Sequence, residues 1–311
     1  MTRILIFRYT HIPEAGYGDS IRIFQEARKM IKILSDSTCD LSKELVERYN
    51  IDIIPLHVYL GEKEYRDGVD IVPEKIYEWS DANGETPKTS APAIEDIEAI
   101  YRQYMDDFDG MVVFTISASM SASFNGCKLA AEALGIVDKV AVIDSANLST
   151  GIGHLVIKAA EFAAAGMGIK EIEEEILRLR PMVRASFVVD TLEYLHRGGR
   201  CSGLAAMFGS VLKLHPRIVV KDGKMSSDKK YRGNLENVIV SYTKDLAPEL
   251  ANAEPDRVFI THSGCQDEIV FKVRDILAEM GYFKEILITH AGCVVSSHCG
   301  PGTLGVLFIA Q

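Results

Sequence analysis

From residue 30 onward, hydrophobic and polar positions fall into short alternating blocks. The run "IKILS" is a compact apolar strand, and "LSKELVERYN" places Leu41, Leu45, Val46 and Tyr49 on one face of a helix. "IDIIPLHVYL" is a second strand. A polar turn around Asp67-Gly68 follows, and Pro73 then opens a short helix. "APAIEDIEAIYRQYM" is a longer helix, with Pro92 near its first turn and Ile94, Ile97 and Tyr101 spaced to face a core. Strand–loop–helix then recurs twice, from "MVVFTIS" to "NGCKLAAEALG" and from "KVAVIDS" to "GHLVIKAAEFAAAG", the last helix closed by Gly166. This rhythm predicts a parallel sheet with helices on both faces.

After "IKEIEEEILRLR" the grammar changes. "ASFVVDTLEYL" leads into "HRGGR", an apolar helix "GLAAMFGSVLKL", and two strands joined across Asp222-Gly223, a good hairpin signal. Amphipathic helices at about 234–248 and 266–280 alternate with "RVFITHS" and the terminal strands. The expected fold class is α/β with two domains: an N-terminal parallel-sheet α/β/α domain over 30–180 and a C-terminal α+β domain over 181–311. No low-complexity linker separates them, so they are expected to pack closely, and ligands favour such interfaces. "THSGC" at 261 and "THAGC" at 289 mark two similar strand-to-loop transitions.

Residues 1–29 form an N-terminal extension with weak periodicity and scattered turn residues. Met30 is the expected initiator, the alternative being a genuine flexible N-terminal arm. Gln25-Glu26-Ala27 can be encoded through AGGAGG, a strong bacterial ribosome-binding sequence, just before the Met30 codon.

Composition narrows the function classes. The 311 residues are 47% hydrophobic and 25% charged, enough for a substantial globular core. A formal charge of −10 argues against a nonspecific nucleic-acid or anionic-membrane binder. No apolar run approaches the ~20 residues of a membrane helix, and the apolar run in "MTRILIFRYTH" is too short, with no small-residue cleavage site after it, for a secretory signal to be expected there. The six cysteines are expected as reduced thiols of a cytoplasmic protein.

Four stretches carry candidate chemistry. "TISASMSASFNG" (115–126) sets Ser117, Ser119, Ser121 and Ser123 ahead of a helix, where unpaired N–H groups and hydroxyls suit an anion; simple N-capping explains one of the four. "KTSAPA" (88–93) places Thr89 and Ser90 on an extended segment at another helix entrance. "THAGCVVSSHCGPGTLGV" holds His298 before a Gly-Pro-Gly corner, a position from which an imidazole can donate to a carboxylate. His262, Cys265, His290, Cys293, His298 and Cys299 are also potential metal ligands, but on presumed strand ends and without compact zinc spacing. A nucleophile at Cys299 lacks an orienting third group. "HRGGRCSG" flanks two freely turning glycines with arginines, a docking patch or a solvated loop.

Seven ordered motifs, "SDSTCDL", "YRDGVDI", "TSAP", "ISASMSAS", "VIDSANLSTGIG", "LEYLHRGGRCSG" and "HCGPGTLGV", give a chain that over residues 30–311 resembles the DegV family of fatty-acid-binding proteins serving bacterial fatty acid kinase. The resemblance implies a DegV-like two-domain fold with one long-chain fatty acid between the domains and its acyl chain in a tunnel of the second. Thr89 and Ser121 would hydrogen-bond the carboxylate beside Ser90 and Ala122, His298 would approach from the second domain, and Arg200 would meet the partner. That partner is an ATP-dependent kinase that phosphorylates the bound acid to an acyl phosphate. Ala122 stands where the family usually has Gly, Ser123 for Thr, Ala118 for the second serine of Ile-Ser-Ser, and Cys201 for a larger aliphatic residue; these departures blur which acyl chain fits. No catalytic base–nucleophile pair is evident, so a carrier subunit without cofactor or metal is expected. The alternatives are a metal- or thiol-dependent enzyme using the His/Cys cluster, and a regulatory module for another small acid.

Overall fold

The computed structural model describes residues 30–199 and 214–311. The apolar helix expected over "GLAAMFGSVLKL", together with Arg200 and Cys201, lies outside the described residues except for Leu214, which is in a strand.

The first sheet is built from β1 (Ile31–Asp36), β2 (Ile51–Ile54), β6 (Gly110–Thr115) and β7 (Val140–Asp144), all parallel, in the order β2-β1-β6-β7. Period-2 alternation decides what each face buries. Ile31, Ile33, Val112 and Phe114 point toward α5 (Thr150–Ala164) and α6 (Ile169–Leu179). Leu34, Met111 and Val113 point toward α3 (Ile94–Arg102) and α4 (Ser123–Ala133). The expected parallel sheet with helices on both faces is present.

"IDIIPLHVYL" departs from the single strand its apolar run suggests. Pro55 has no N–H for a ladder and separates β2 from β3 (His57–Leu60). β3 then joins β4 (Lys63–Arg66) and β5 (Lys88–Ser90) in a separate three-stranded antiparallel sheet, β4-β3-β5. Helix α2 (Pro73–Asn83), with Pro at its start as expected, packs Ile76 against that sheet beside Leu56 and Val58.

The second large sheet has the order β10-β9-β8-β13-β11-β12. Its strands are β8 (Val183–Val188), β9 (Leu214–Lys221), β10 (Lys224–Arg232), β11 (Arg257–Ser263), β12 (Glu285–His290) and β13 (Thr303–Ile309). The hairpin across Asp222-Gly223 forms as its sequence predicts, with φ of 49° and 74° at the two turn residues. β11 and β12 pair in parallel with Thr261 opposite Thr289 and His262 opposite His290, so the sequence echo is two equivalent strands leaving one sheet edge. Helices α8 (Leu235–Asp245) and α10 (Asp267–Glu279) cover one face. The other face meets α5, which is buried almost all round because residues 150–157 carry no charged side chain. One apolar cluster therefore runs from Ile33 of the first sheet through Leu155 to Phe187 and Ile309 of the second. The remaining helices are α1 (Lys43–Arg48), α7 (Glu193–Arg197), α9 (Ala247–Leu250) and α11 (Cys293–Cys299).

Helix α11 is a finding of the structure, since residues 293–299 were expected to run along strand ends. Its N-terminal amides find acceptors far away in sequence. The amide of Gly292 donates to Asp40 Oδ1 at 2.8 Å, and that of Cys293 donates to Asp67 Oδ1 at 2.7 Å. These carboxylates supply the capping acceptors that this helix lacks locally. A Cβ built on Gly292 would lie 3.2 Å from oxygens of both carboxylates, so glycine lets them close on the chain together.

Burial pushes the Asp40 carboxyl up to about 8; the Ser149 hydroxyl and Gly292 amide donate to it and pull the other way, while Asp67 and Asp36 nearby add to the rise. Burial likewise raises Asp67, and raises Asp36 to about 6. A carboxyl raised on folding stabilises the native state most below its ordinary pKa, and that contribution is lost as pH rises through the folded value. Asn at position 40 can keep an acceptor for Gly292 and offer a donor to Ser149. Asp40→Asn is therefore expected to gain stability relative to the parent as pH rises from about 5 to about 9, read from denaturant midpoints. Parallel pH profiles for the two proteins would show that Asp40 does not change charge over this range.

Candidate functional site

Ser121, Ala122, Thr89, Ser90 and His298 all line one cavity of about 270 Å³. Three local structures bring them there. Thr89 lies on β5 opposite Val58, with Ser90 at the strand end beside it. Ser121 and Ala122 lie in the loop between β6 and α4. His298 is the penultimate residue of α11, whose end is set by Gly300 at φ 73°. The imidazole is thus aimed by a short helix, with the Gly-Pro-Gly corner closing that helix and starting β13.

Thr89 Oγ1 and His298 Nε2 share a hydrogen bond of 2.8 Å across 209 residues of sequence. Ser121 Oγ accepts from the Ser123 amide, the first of α4, at 3.2 Å and is 2.9 Å from Ser123 Oγ, while still reaching the cavity. The other serines of this loop do different work. Ser117 is buried and donates to the Gly223 carbonyl at 2.8 Å, fastening the β9–β10 hairpin tip to the loop. Its oxygen also accepts from the Ser119 amide. The hairpin in turn places Met225 in the cavity wall.

The rest of the lining among the described residues is apolar: Leu56, Ile116, Leu148, Leu195, Val294 and Val295 among others, with no Asp, Glu, Lys or Arg. A smaller pocket of about 20 Å³ lies beyond and shares Leu148, Val295 and Cys299 with the first. It extends toward Phe187 and Leu307 of the second large sheet. These wall positions were missed at the level of sequence, because Leu and Val facing a cavity read the same as Leu and Val facing a core. The Asp40 and Asp67 anchors were also missed, although both fall in quoted motifs, since nothing local links them to residue 292.

The cysteine and histidine candidates do not converge on one point. Among the described residues, no group of three or more His, Cys, Asp and Glu is placed to hold a metal ion. His262 and His290 stack edge to face at 4.9 Å on adjacent strands, and burial lowers His262 to about 4. Cys299 is buried and its thiol is pushed up to about 12, the opposite of what a nucleophile needs. Cys265 is raised to about 12 in the same way, and burial also raises Cys293. Among the described residues, no helix is long and apolar enough to cross a membrane.

A parallel α/β sheet and a separate mixed sheet enclose a cavity that, among the described residues, is mostly apolar with a polar corner. The chain belongs to the DegV family: the family model described as "Uncharacterised protein, DegV family" matches residues 30–311. A DegV domain-containing protein of Clostridium acetobutylicum is 31% identical over 283 residues, covering 90% of this chain and 99% of its own. Among solved structures, "Fatty Acid Binding of a DegV family Protein from Thermus thermophilus" is similar with a TM-score of 0.84 and 30% identity, covering 91% of this chain and all of its own. A fatty acid (stearic acid)-binding protein from Eubacterium ventriosum superposes with a TM-score of 0.78 and 30% identity, covering 90% and 98%. The expected fold class and family are thereby established.

The polar corner generates a direct expectation. Thr89→Val with Ser121→Ala should weaken binding of palmitate by more than tenfold, since each hydrogen bond to a charged group is worth ~1.5–3 kcal/mol. Loss of the Ser121 hydrogen bond to the Ser123 amide should lower stability by only about 1 kcal/mol. Isothermal titration and denaturant unfolding on one preparation measure both, and unchanged affinity would place a head group elsewhere.

Proposed function

We propose that this chain binds one long-chain fatty acid in the cavity, carboxylate against Thr89, Ser121 and His298, and presents it to an ATP-dependent kinase as a carrier subunit. The observation that carries the reading is the 2.8 Å Thr89–His298 pair at a polar corner of a chamber that is otherwise apolar among the described residues. An imidazole donating through Nε2 to Thr89 Oγ1 leaves the threonine hydroxyl free to donate to a carboxylate. Ser121 supplies a second hydroxyl and α4 the positive end of its dipole.

Magnitudes favour the chain over the head group as the source of affinity. Each buried methylene contributes about 0.8 kcal/mol, so about ten of them contribute ~8 kcal/mol, a micromolar constant before any head-group bond. The polar corner then fixes which end of the ligand stays near the loop surface, where Ser90 is exposed. The second, smaller pocket gives the acyl chain a direction to continue, toward the mixed sheet. Division of the chain into units 30–180 and 181–311 belongs to the same reading: the cavity takes Thr89 and Ser121 from one and His298 and Leu195 from the other. The kinase partner and acyl-phosphate formation follow from the family resemblance, with Arg200 as the expected docking residue.

Protein freshly purified from a bacterial host should carry close to one equivalent of a long-chain fatty acid. Organic extraction followed by mass spectrometry measures it. No acyl species, or a short polar acid in its place, would overturn the proposal.

A further inference from the structure

The His298 ring lies against the backbone of Gly198, the residue that ends α7. A Cβ built on Gly198 would fall 2.2 Å from His298 Nδ1 and 3.0 Å from Cε1, with the Tyr194 carbonyl at 3.1 Å on another side. Gly198 has φ −71° and ψ −9°, a right-handed conformation open to any residue. Glycine is therefore needed at 198 for space and not for the turn. That separates it from Gly199, whose φ of 69° is itself a reason for glycine.

The contact has a reciprocal half. A Cβ on Gly300, just past α11, would lie 2.5 Å from Cδ2 of the Tyr194 ring. Each helix end thus lacks a side chain where the other presents an aromatic ring. α7 and α11 interlock through these two notches, and the same α7 sends Leu195 into the cavity wall.

We infer that Gly198 is a positioning residue for the head-group imidazole: its bare Cα is the surface that holds the His298 ring with Nε2 on Thr89. A methyl group at 198 occupies the place of Nδ1, and either the ring swings away from Thr89 or α7 moves off α11. The inference deepens the proposed carboxylate site and rests on that reading for its effect on binding. The steric link between 198 and 298 stands apart from any ligand.

The test is a double-mutant cycle of Gly198→Ala and His298→Ala, with palmitate as probe and thermal melting as a second readout. In the parent background Gly198→Ala should lower palmitate affinity about tenfold, the loss of one charged hydrogen bond, and should lower the melting temperature. In the His298→Ala background the ring is gone and the added methyl has room, so Gly198→Ala should change affinity by less than about twofold and leave melting nearly unchanged. Folding of Gly198→Ala only when His298 is also Ala would support the inference equally. Equal losses in both backgrounds, or failure to fold in both, would overturn it and make Gly198 a residue of the turn alone. If the parent protein does not bind palmitate, the functional reading fails, and the melting cycle still decides whether residue 198 acts through residue 298.

Discussion

Two buried carboxylates holding one helix end are the constraint on which the rest of the site depends. Asp40 and Asp67 come from the first 70 residues, yet they supply acceptors for the amides of Gly292 and Cys293 at the start of α11. Burying acidic groups this close together is unfavourable unless each is hydrogen-bonded, and both are: Ser149 serves Asp40, and Ser37 serves Asp67. The return is geometric. α11 has seven residues, too few to be stable alone, and its place is set by this long-range capping and by Cys293 and Val294 buried against the small sheet.

With one end of α11 fixed, its other end becomes a fixed point on the cavity wall. His298 reaches Thr89, while Val294, Val295 and Cys299 turn apolar atoms toward the same space. The serine loop opposite is held just as firmly, by Ser117 on the hairpin carbonyl of Gly223 and by the Ile116 amide donating to buried Asp36. Both sides of the polar corner are thus tied to the fold by buried hydrogen bonds, and a corner held in place lowers the ordering cost of the binding proposed for it. The chamber behind it is lined by no charged side chain among the described residues, which suits the apolar chain proposed as its occupant.

Much of this was legible in the sequence where the signal was local. Apolar runs at strand spacing, the hairpin at Asp222-Gly223, Pro73 at a helix start and the hydroxyls at two helix entrances all needed only neighbours to be read. The Thr-His repeat at 261 and 289 correctly announced two equivalent strands. What stayed hidden depends on distant partners. Pro55 split a run that looked continuous, and beyond it β3 leaves the first sheet to pair with β4 and with β5, which lies some thirty residues on. Residues 293–299 carry no local cap, so nothing nearby marks a helix there. Gly198 read as a flexible turn residue, whereas the structure shows a notch cut for a ring a hundred residues away.

In the proposed binding mode a carboxylate is held by the Thr89–Ser121–His298 corner inside the protein. Carbon NMR of palmitate labelled at its carboxyl carbon, bound to the full chain, reports on that carboxylate itself. One bound carboxyl resonance is expected, which does not follow the pH titration of the free acid and which moves when His298 is replaced by Gln. A bound resonance that titrates like the free acid and is indifferent to His298→Gln would put the head group in solvent and overturn this binding mode.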